Sequence, residues 1–196
     1  MVRIIIAGVL GGIAMFIGGA FSHMFLELES RAFQRLPDEN ATLQLASGQS
    51  LQPGIYDFPH GSENNQKMTP AEQRVEDDRV NAAFRAGPAG FIIIAPIGED
   101  MMGTKQLAGE FIADAIAATL AAFLAAHLST FTSFARRWLL IVLIAPIAWL
   151  SLTASFVLWY RFPLSFIQDG FFAALIEWTV AGAVIAAVVR PIMHSR

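Results

Sequence analysis

The chain contains no cysteine, and only 15% of its 196 residues are charged. The lack of cysteine excludes disulfide bonds, thiolate nucleophiles and metal sites with cysteine ligands. No cluster of lysine and arginine is interleaved with aromatic residues, so we expect no nucleic-acid partner. The sequence also lacks the Gly-x-Ser-x-Gly, Walker A, dinucleotide-binding and His-Glu-x-x-His motifs, so it identifies neither an enzyme class nor a cofactor.

Long apolar stretches dominate the sequence, which is 55% hydrophobic with a mean hydropathy of +0.53. Each of four stretches reaches the roughly 20 residues that a helix needs to cross a bilayer. They are Ile4–Phe25, Leu107–Ala126, Trp138–Tyr160 and Gly170–Val189. We therefore predict a mainly α membrane protein with four transmembrane helices, whose partner is the lipid bilayer. Residues 1–26 form the first helix, 27–103 an extracytoplasmic segment, and 104–196 transmembrane helices 2–4 with short loops.

The segment between the first two spans is acidic, with 12 acidic and 6 basic residues. Residues Leu26–Leu36 are expected to extend the first helix into water. Thr69-Pro70-Ala71-Glu72 has the capping residue, the proline and the glutamate typical of a helix start. Two strand-like stretches flank that helix, and we predict that Ile55–Phe58 pairs with Phe91–Ile94. The segment is therefore predicted to fold as a small α+β cap between helices 1 and 2.

The distribution of basic residues predicts the orientation of the chain, because short cytoplasmic loops are rich in lysine and arginine. One side of the four spans has only Arg161 and Lys105 near the helix ends. The other side has five arginines, at positions Arg3, Arg136, Arg137, Arg190 and Arg196. We therefore predict that the N and C termini are both cytoplasmic.

Four short motifs occur in order along the first half of the chain. They are Phe21-Ser-His-Met24, Leu36-Pro-Asp-Glu39, Pro53-Gly-Ile-Tyr-Asp-Phe-Pro59 and Gly87-Pro-Ala-Gly-Phe91. Their order resembles that of a group of uncharacterised bacterial integral membrane proteins. The resemblance implies a bacterial inner (plasma) membrane, and it carries over no activity and no catalytic residue.

The first apolar stretch is rich in glycine. Gly8 and Gly12 are four residues apart, and Gly11 and Gly18 are seven apart, so each pair forms a smooth patch that lets another helix approach closely. The same stretch also fits a cleaved signal peptide, because Gly18-Gly19-Ala20 offers small residues at the cleavage positions. Its apolar run exceeds the usual signal-peptide core of about 7–15 residues, which favours a retained helix.

A candidate polar site lies within the apolar stretches, where a central aspartate costs about 2.5–3.5 kcal/mol on insertion scales. Two of its carboxylates are one helical turn apart in the second span, and a histidine, two serines and a third carboxylate come from the other spans. We predict that all six polar residues face the bundle interior in one layer of the outer membrane half. They are His23, Glu110, Asp114, Ser151, Ser155 and Glu177.

Structural explanations compete with a functional one at each of these residues. Glu110 is close enough to the membrane boundary to reach water or to pair with Lys105. Asp114 and Glu177 fit hydrogen-bonding groups that join neighbouring helices. A histidine at the boundary, such as His23, fits a structural role as well as a ligand role.

Three functions are compatible with this sequence. The first, which the sequence favours over the other two, is a non-enzymatic accessory or scaffold subunit that binds another membrane protein or a second copy of itself as a homo-oligomer. The second is a proton- or cation-handling membrane protein that uses Asp114 and Glu177. The third is a membrane-embedded metalloenzyme that uses His23 with the carboxylates, since imidazole and carboxylate suit zinc, manganese or iron. The sequence leaves the metal and any cofactor undefined.

Overall fold

The computed structural model describes residues 1–28, 30–48, 51–62, 67–98, 100, 102–128 and 133–189. Within these ranges, four helical spans are long and apolar enough to cross a membrane, which confirms the mainly helical, four-span prediction. They are α1 (Val2–Met24), α4 (Thr104–His127), Phe134–Leu158 and α7 (Leu164–Val188). Arg190 and Arg196, two of the arginines behind the predicted orientation, lie outside the described residues.

The third span consists of two helices, α5 (Phe134–Val142) and α6 (Ile144–Leu158). Leu143 lies between them with φ −67° and ψ −14°. Pro146 lies about one turn after Leu143 and has no N–H to donate to the carbonyl of Val142. The interruption therefore falls where the proline removes one helical hydrogen bond.

Helix α1 lies between α4 and α7, and its glycines form both contacts. A Cβ atom added at Gly8 would lie 2.6 Å from the Cα of Thr119, and one at Gly12 would lie 2.6 Å from the Cα of Ala115. On the other side, a Cβ at Gly11 would lie 2.6 Å from Cγ1 of Ile185. These distances are far below ordinary van der Waals contact, so the backbones approach as closely as the glycine spacing predicted.

The third span packs on α7 through tryptophan side chains. The indole N–H of Trp138 donates to the carbonyl of Thr179 at 3.1 Å, and that of Trp149 donates to the carbonyl of Ile167 at 3.0 Å. Both bonds satisfy the polar atom of a large aromatic residue inside the bundle. The result is a bundle in which α7 contacts α1 on one side and α5 and α6 on another.

Arg137 is buried, although the sequence analysis counted it as a loop charge. Its guanidinium donates two hydrogen bonds, of 2.8 Å and 3.2 Å, to the carbonyl of Ala186 in the last turn of α7. A cation is favourable at this position, because the carbonyls at a helix C-terminus carry partial negative charge. Arg137 therefore stabilises the end of α7, whereas Arg136 beside it is exposed.

The predicted extension of α1 through Leu26–Leu36 is wrong. Helix α1 ends at Met24, and the amide of Leu28 bonds to the carbonyl of Ser22 at 3.1 Å, which closes the end of the helix. Glu27 lies in the left-handed region at φ 51°, so the chain turns away from the helix axis there. A single 3₁₀ turn follows at Ser30–Ala32.

Residues Arg35–Glu99 form a second compact unit. Its described elements are α2 (Glu39–Gly48), β1 (Gly54–Phe58), α3 (Pro70–Ala86) and β2 (Gly90–Ile94). The strands pair antiparallel with Ile55 opposite Ile93 and Asp57 opposite Phe91, which confirms the predicted pairing. Helix α2 was not predicted from the sequence.

Helix α3 begins with the predicted capping box. The Thr69 hydroxyl accepts a hydrogen bond from the amide of Glu72, and the Glu72 carboxylate accepts one of 2.8 Å from the amide of Thr69. The bond from the Thr69 amide lowers the pKa of Glu72 below its usual 4.5, so this cap is intact at neutral pH and is lost as the pH falls through the lowered value. Gly87 ends the helix at φ 58°, a conformation that favours glycine.

The glycine contacts of α1 give the first prediction. Gly8→Ala forces a methyl group against the backbone of Thr119, so we expect a loss of about 1–3 kcal/mol from overpacking. The matched control is Gly109→Ala in α4, where an added Cβ meets nothing within 4 Å. This control should be neutral or slightly stabilising, because alanine favours helices over glycine. Thermal unfolding in detergent measures both, and equal effects of the two substitutions would contradict the packing described.

Candidate functional site

A cavity of about 360 Å³ lies among α1, α4 and α7. Four of the six predicted polar residues line it, namely His23, Glu110, Asp114 and Glu177. Each of the three helices contributes at least one titratable side chain. The structure therefore brings together one imidazole and three carboxylates that are up to 154 positions apart in the sequence (177 − 23).

The four titratable residues differ in exposure. His23 and Glu110 are exposed, whereas Asp114 and Glu177 are half-buried. Asp114 follows Glu110 by one turn of α4, which is about 6 Å along the helix axis. The cavity is therefore polar at an accessible end and continues to two less accessible carboxylates.

Gly19 provides the space for the Glu177 carboxylate. A Cβ atom at Gly19 would lie 3.1 Å from Oε1 of Glu177, closer than nearly all real contacts of that kind. The neighbouring Gly18 plays a similar part, because its Cβ would lie 3.4 Å from the Cα of Glu177. The glycines of α1 therefore do more than pack against α7, since they admit a carboxylate to the α1 side of the cavity.

The rest of the cavity wall is apolar. It consists of Phe16, Ala20, Met24, Met102 and Leu107, in addition to Gly19. Phe16 also makes an edge-to-face contact with Phe111, with ring centroids 6.0 Å apart, which joins α1 to α4 at this level. The carboxylates are thus set in a low-polarity wall, where charge interactions are stronger than in water.

Ser151 and Ser155 do not line this cavity. Both are exposed on α6, and the Ser151 hydroxyl donates to the carbonyl of Ala148 in its own helix at 3.0 Å. The prediction that they face the bundle interior with the carboxylates is therefore wrong. The physical reason is that α1 occupies the space between α4 and α7, which leaves α6 against a different side of α7.

The sequence analysis missed an ion pair between Arg31 and Asp169. The Asp169 side chain is 4% exposed, and that of Arg31 is 63% exposed. Nε of Arg31 donates to Oδ2 of Asp169 at 3.2 Å, and a second guanidinium nitrogen bonds to Oδ1, which makes the pair bidentate. An edge-to-face contact between Phe33 and Phe166 lies beside it, with centroids 5.9 Å apart.

Asp169 was missed because the predicted fourth span began one residue after it, at Gly170. Helix α7 begins at Leu164, so Asp169 lies inside the helix and needs a partner. The signal in the sequence was an aspartate between the apolar pairs Phe166-Ile167 and Phe171-Phe172, together with an arginine soon after the first span. Nothing in the sequence connects these two signals across 138 positions.

No group of three His, Asp or Glu side chains within the described ranges is close enough to hold a metal ion. Comparison of the chain with family models, with curated proteins and with solved structures finds no match in any of the three. The geometry of the cavity is accordingly the basis for the function proposed below.

The Arg31–Asp169 pair gives the second prediction. Arg31→Gln leaves the buried Asp169 carboxylate without its cation, so we expect a loss of about 1–3 kcal/mol of stability. Adding Asp169→Asn removes the buried charge and should recover most of that loss. Arg35→Gln, which changes an exposed arginine four residues later, is the matched control and should have little effect. Thermal unfolding of the wild type, Arg31→Gln, Asp169→Asn, the double variant and the control measures the coupling, and additive effects of the Arg31 and Asp169 substitutions would contradict it.

Proposed function

We propose that this is a proton- or cation-handling membrane protein whose site is the cavity among α1, α4 and α7. One observation carries the proposal, namely that four titratable side chains from three helices line a single cavity. We assign the exchanging positions to Asp114 and Glu177, with Glu110 and His23 at the accessible end.

The charge of the cavity supports a cationic ligand. Three carboxylates share an apolar wall, and like charges in such surroundings are not all ionised without a compensating proton or cation. The cost of placing a carboxylate at membrane depth adds to this requirement. A proton is the simplest ligand that meets it, because it needs no chelating geometry.

The difference in exposure supports exchange with water at one end. His23 and Glu110 are exposed, so they can take up or release a proton directly. Asp114 and Glu177, which are half-buried, would then receive the proton from these two residues.

The accessory-subunit hypothesis retains less support than the cation hypothesis. It depended partly on glycine faces of the first span that a partner helix could approach. Gly8 and Gly12 are instead packed on α4, and Gly11 and Gly18 on α7, so the chain occupies these faces itself. The metalloenzyme hypothesis gains no support from the cavity, since no three-residue metal group occurs among the described side chains.

The setting of the site is also part of the proposal. We place the chain in the bacterial inner membrane, with both termini cytoplasmic and the Arg35–Glu99 unit on the opposite side as an extracytoplasmic cap. Two observations support this orientation: acidic residues outnumber basic residues in that segment, and Arg3 and Arg136 lie near the ends of spans on the proposed cytoplasmic side. It puts the exposed end of the cavity, at His23, on the extracytoplasmic side, because His23 lies at the end of α1 remote from the N terminus.

The third prediction concerns proton movement. Purified protein in liposomes that contain a pH-sensitive dye should admit protons when a potassium diffusion potential is applied. Asp114→Asn and Glu177→Gln should each reduce the flux to that of protein-free liposomes, because an amide cannot take up a proton. Both variants should unfold at nearly the wild-type temperature, since the amide keeps the size and hydrogen-bonding capacity of the acid.

Ser151→Ala and Ser155→Ala serve as controls, because both serines are polar residues of a span that lie outside the cavity. Their flux should match that of the wild type. A wild-type flux no greater than that of empty liposomes would refute proton handling. Retained flux in both amide variants would show instead that these carboxylates join helices.

The fourth prediction tests orientation. A periplasm-active reporter fused after His60 should be active, and the same reporter fused after Arg137 should be inactive. The second fusion point retains Arg136 and Arg137, which the positive-inside argument requires. The opposite pattern of activity would reverse the proposed orientation.

A further inference from the structure

We infer that one face of the two-stranded sheet is a lipid-contact surface that docks on the headgroup region of the bilayer. The face, here called the isoleucine face, consists of Ile55, Asp57, Phe91 and Ile93. The inference rests on the membrane location proposed above and not on the cavity or its chemistry.

The isoleucine face is apolar and open. Ile55 is 72% exposed and Ile93 is 70% exposed, and they are direct cross-strand neighbours. The one charged member, Asp57, has its carboxylate 2.7 Å from Nδ1 of His60. An antiparallel sheet that faces water on one side normally carries polar residues there, whereas three of the four residues of this face are apolar.

The opposite face of the sheet has a different character. Tyr56, Ile92 and Ile94 on that face are half-buried. The Tyr56 hydroxyl donates to the carbonyl of Gln52 at 2.8 Å, so its polar atom has a partner within the same unit. The isoleucine face is therefore the side of the sheet that its own unit leaves open.

The connection between β2 and α4 also contains exposed apolar residues. Nine residues join the end of β2 at Ile94 to the start of α4 at Thr104, a span of at most about 36 Å over ten peptide steps. Within this connection Ile97 is fully exposed and Met102 is largely exposed. Exposed apolar residues therefore occur both in the sheet and in its connection to a membrane-spanning helix, with Glu99 and Asp100 between Ile97 and Met102 in the sequence.

The charge of the segment indicates whether electrostatic attraction or apolar insertion holds the isoleucine face to lipid. With 12 acidic and 6 basic residues, the segment is repelled by anionic headgroups. Contact must then come from insertion of the isoleucine and phenylalanine side chains at the boundary between headgroups and acyl chains, as in interfacial amphipathic elements. We therefore expect the contact to form on zwitterionic lipid and to gain nothing from anionic lipid.

The chain has no native cysteine, so a spin label reacts only with a cysteine that is introduced by substitution. Ile93→Cys is introduced into the full chain, labelled with a nitroxide and reconstituted into phosphatidylcholine vesicles, with and without added phosphatidylglycerol. The matched control is Val75→Cys on α3, since Val75 is 71% exposed and is also an aliphatic residue. The measurement is the accessibility of each label to oxygen, which partitions into lipid, and to a water-soluble nickel chelate.

The label at position 93 should show an oxygen-to-nickel accessibility ratio several-fold higher than the label at position 75, equally in both lipids. Nickel accessibility equal to that at position 75 would overturn the proposal, because the face would lie in water. Shielding from both reagents would also overturn it, because protein would then cover the face. Ile55→Cys provides the same test if Ile93→Cys fails to fold, and neither result depends on proton flux.

Discussion

The close approach of α1 to α4 and α7 is the constraint on which the rest of the bundle depends. Apolar burial drives helix association weakly in lipid, since the acyl chains are themselves apolar. Association must then come from dispersion contacts, which fall steeply with distance and are strongest where no side chain separates two backbones. Gly8 and Gly12 permit this on the α4 side of α1, whereas Gly11 and Gly18 on the α7 side make room for the side chains of Ile185 and Val180.

The cavity follows from the same constraint. Because α1 is held tightly at Gly8 and Gly12, its C-terminal end is fixed relative to α4, and Gly19 then leaves room for the Glu177 carboxylate. A larger residue at Gly19 would displace that carboxylate and reduce the space. The same small residues therefore allow the helices to pack closely and leave the cavity that the titratable groups line.

The features that the sequence predicted correctly depend on local periodicity or on composition. Span length predicts the four membrane helices, glycine spacing predicts the packing faces of α1, and the Thr69–Glu72 motif predicts the start of α3. Asp114 and Glu177 were expected to share surroundings because each has small residues on its own helix face; both line the cavity, and their role as a site stays a prediction.

The failures depend on which helices are neighbours and on how a helix ends. Ser151 and Ser155 were assigned to the interior because all four spans were assumed to surround one centre, whereas α1 fills that centre. The Arg31–Asp169 pair joins two segments 138 positions apart, and no short-range pattern records such a pairing. The end of α1 depends on the left-handed backbone of Glu27, which a glutamate adopts only with support from its surroundings.

The burial of Arg137 has a consequence for how the orientation of this protein can be manipulated. Arginines near helix ends are usually treated as interchangeable topological signals, and charge reversal at such positions is the customary way to invert a membrane protein. Arg3 and Arg136 are exposed, whereas the guanidinium of Arg137 is bonded to the Ala186 carbonyl. Reversal at Arg137 would put a carboxylate against a carbonyl oxygen and disrupt the end of α7. Any inversion that followed could not be distinguished from misfolding, so the exposed Arg3 is a better position than Arg137 for a charge reversal.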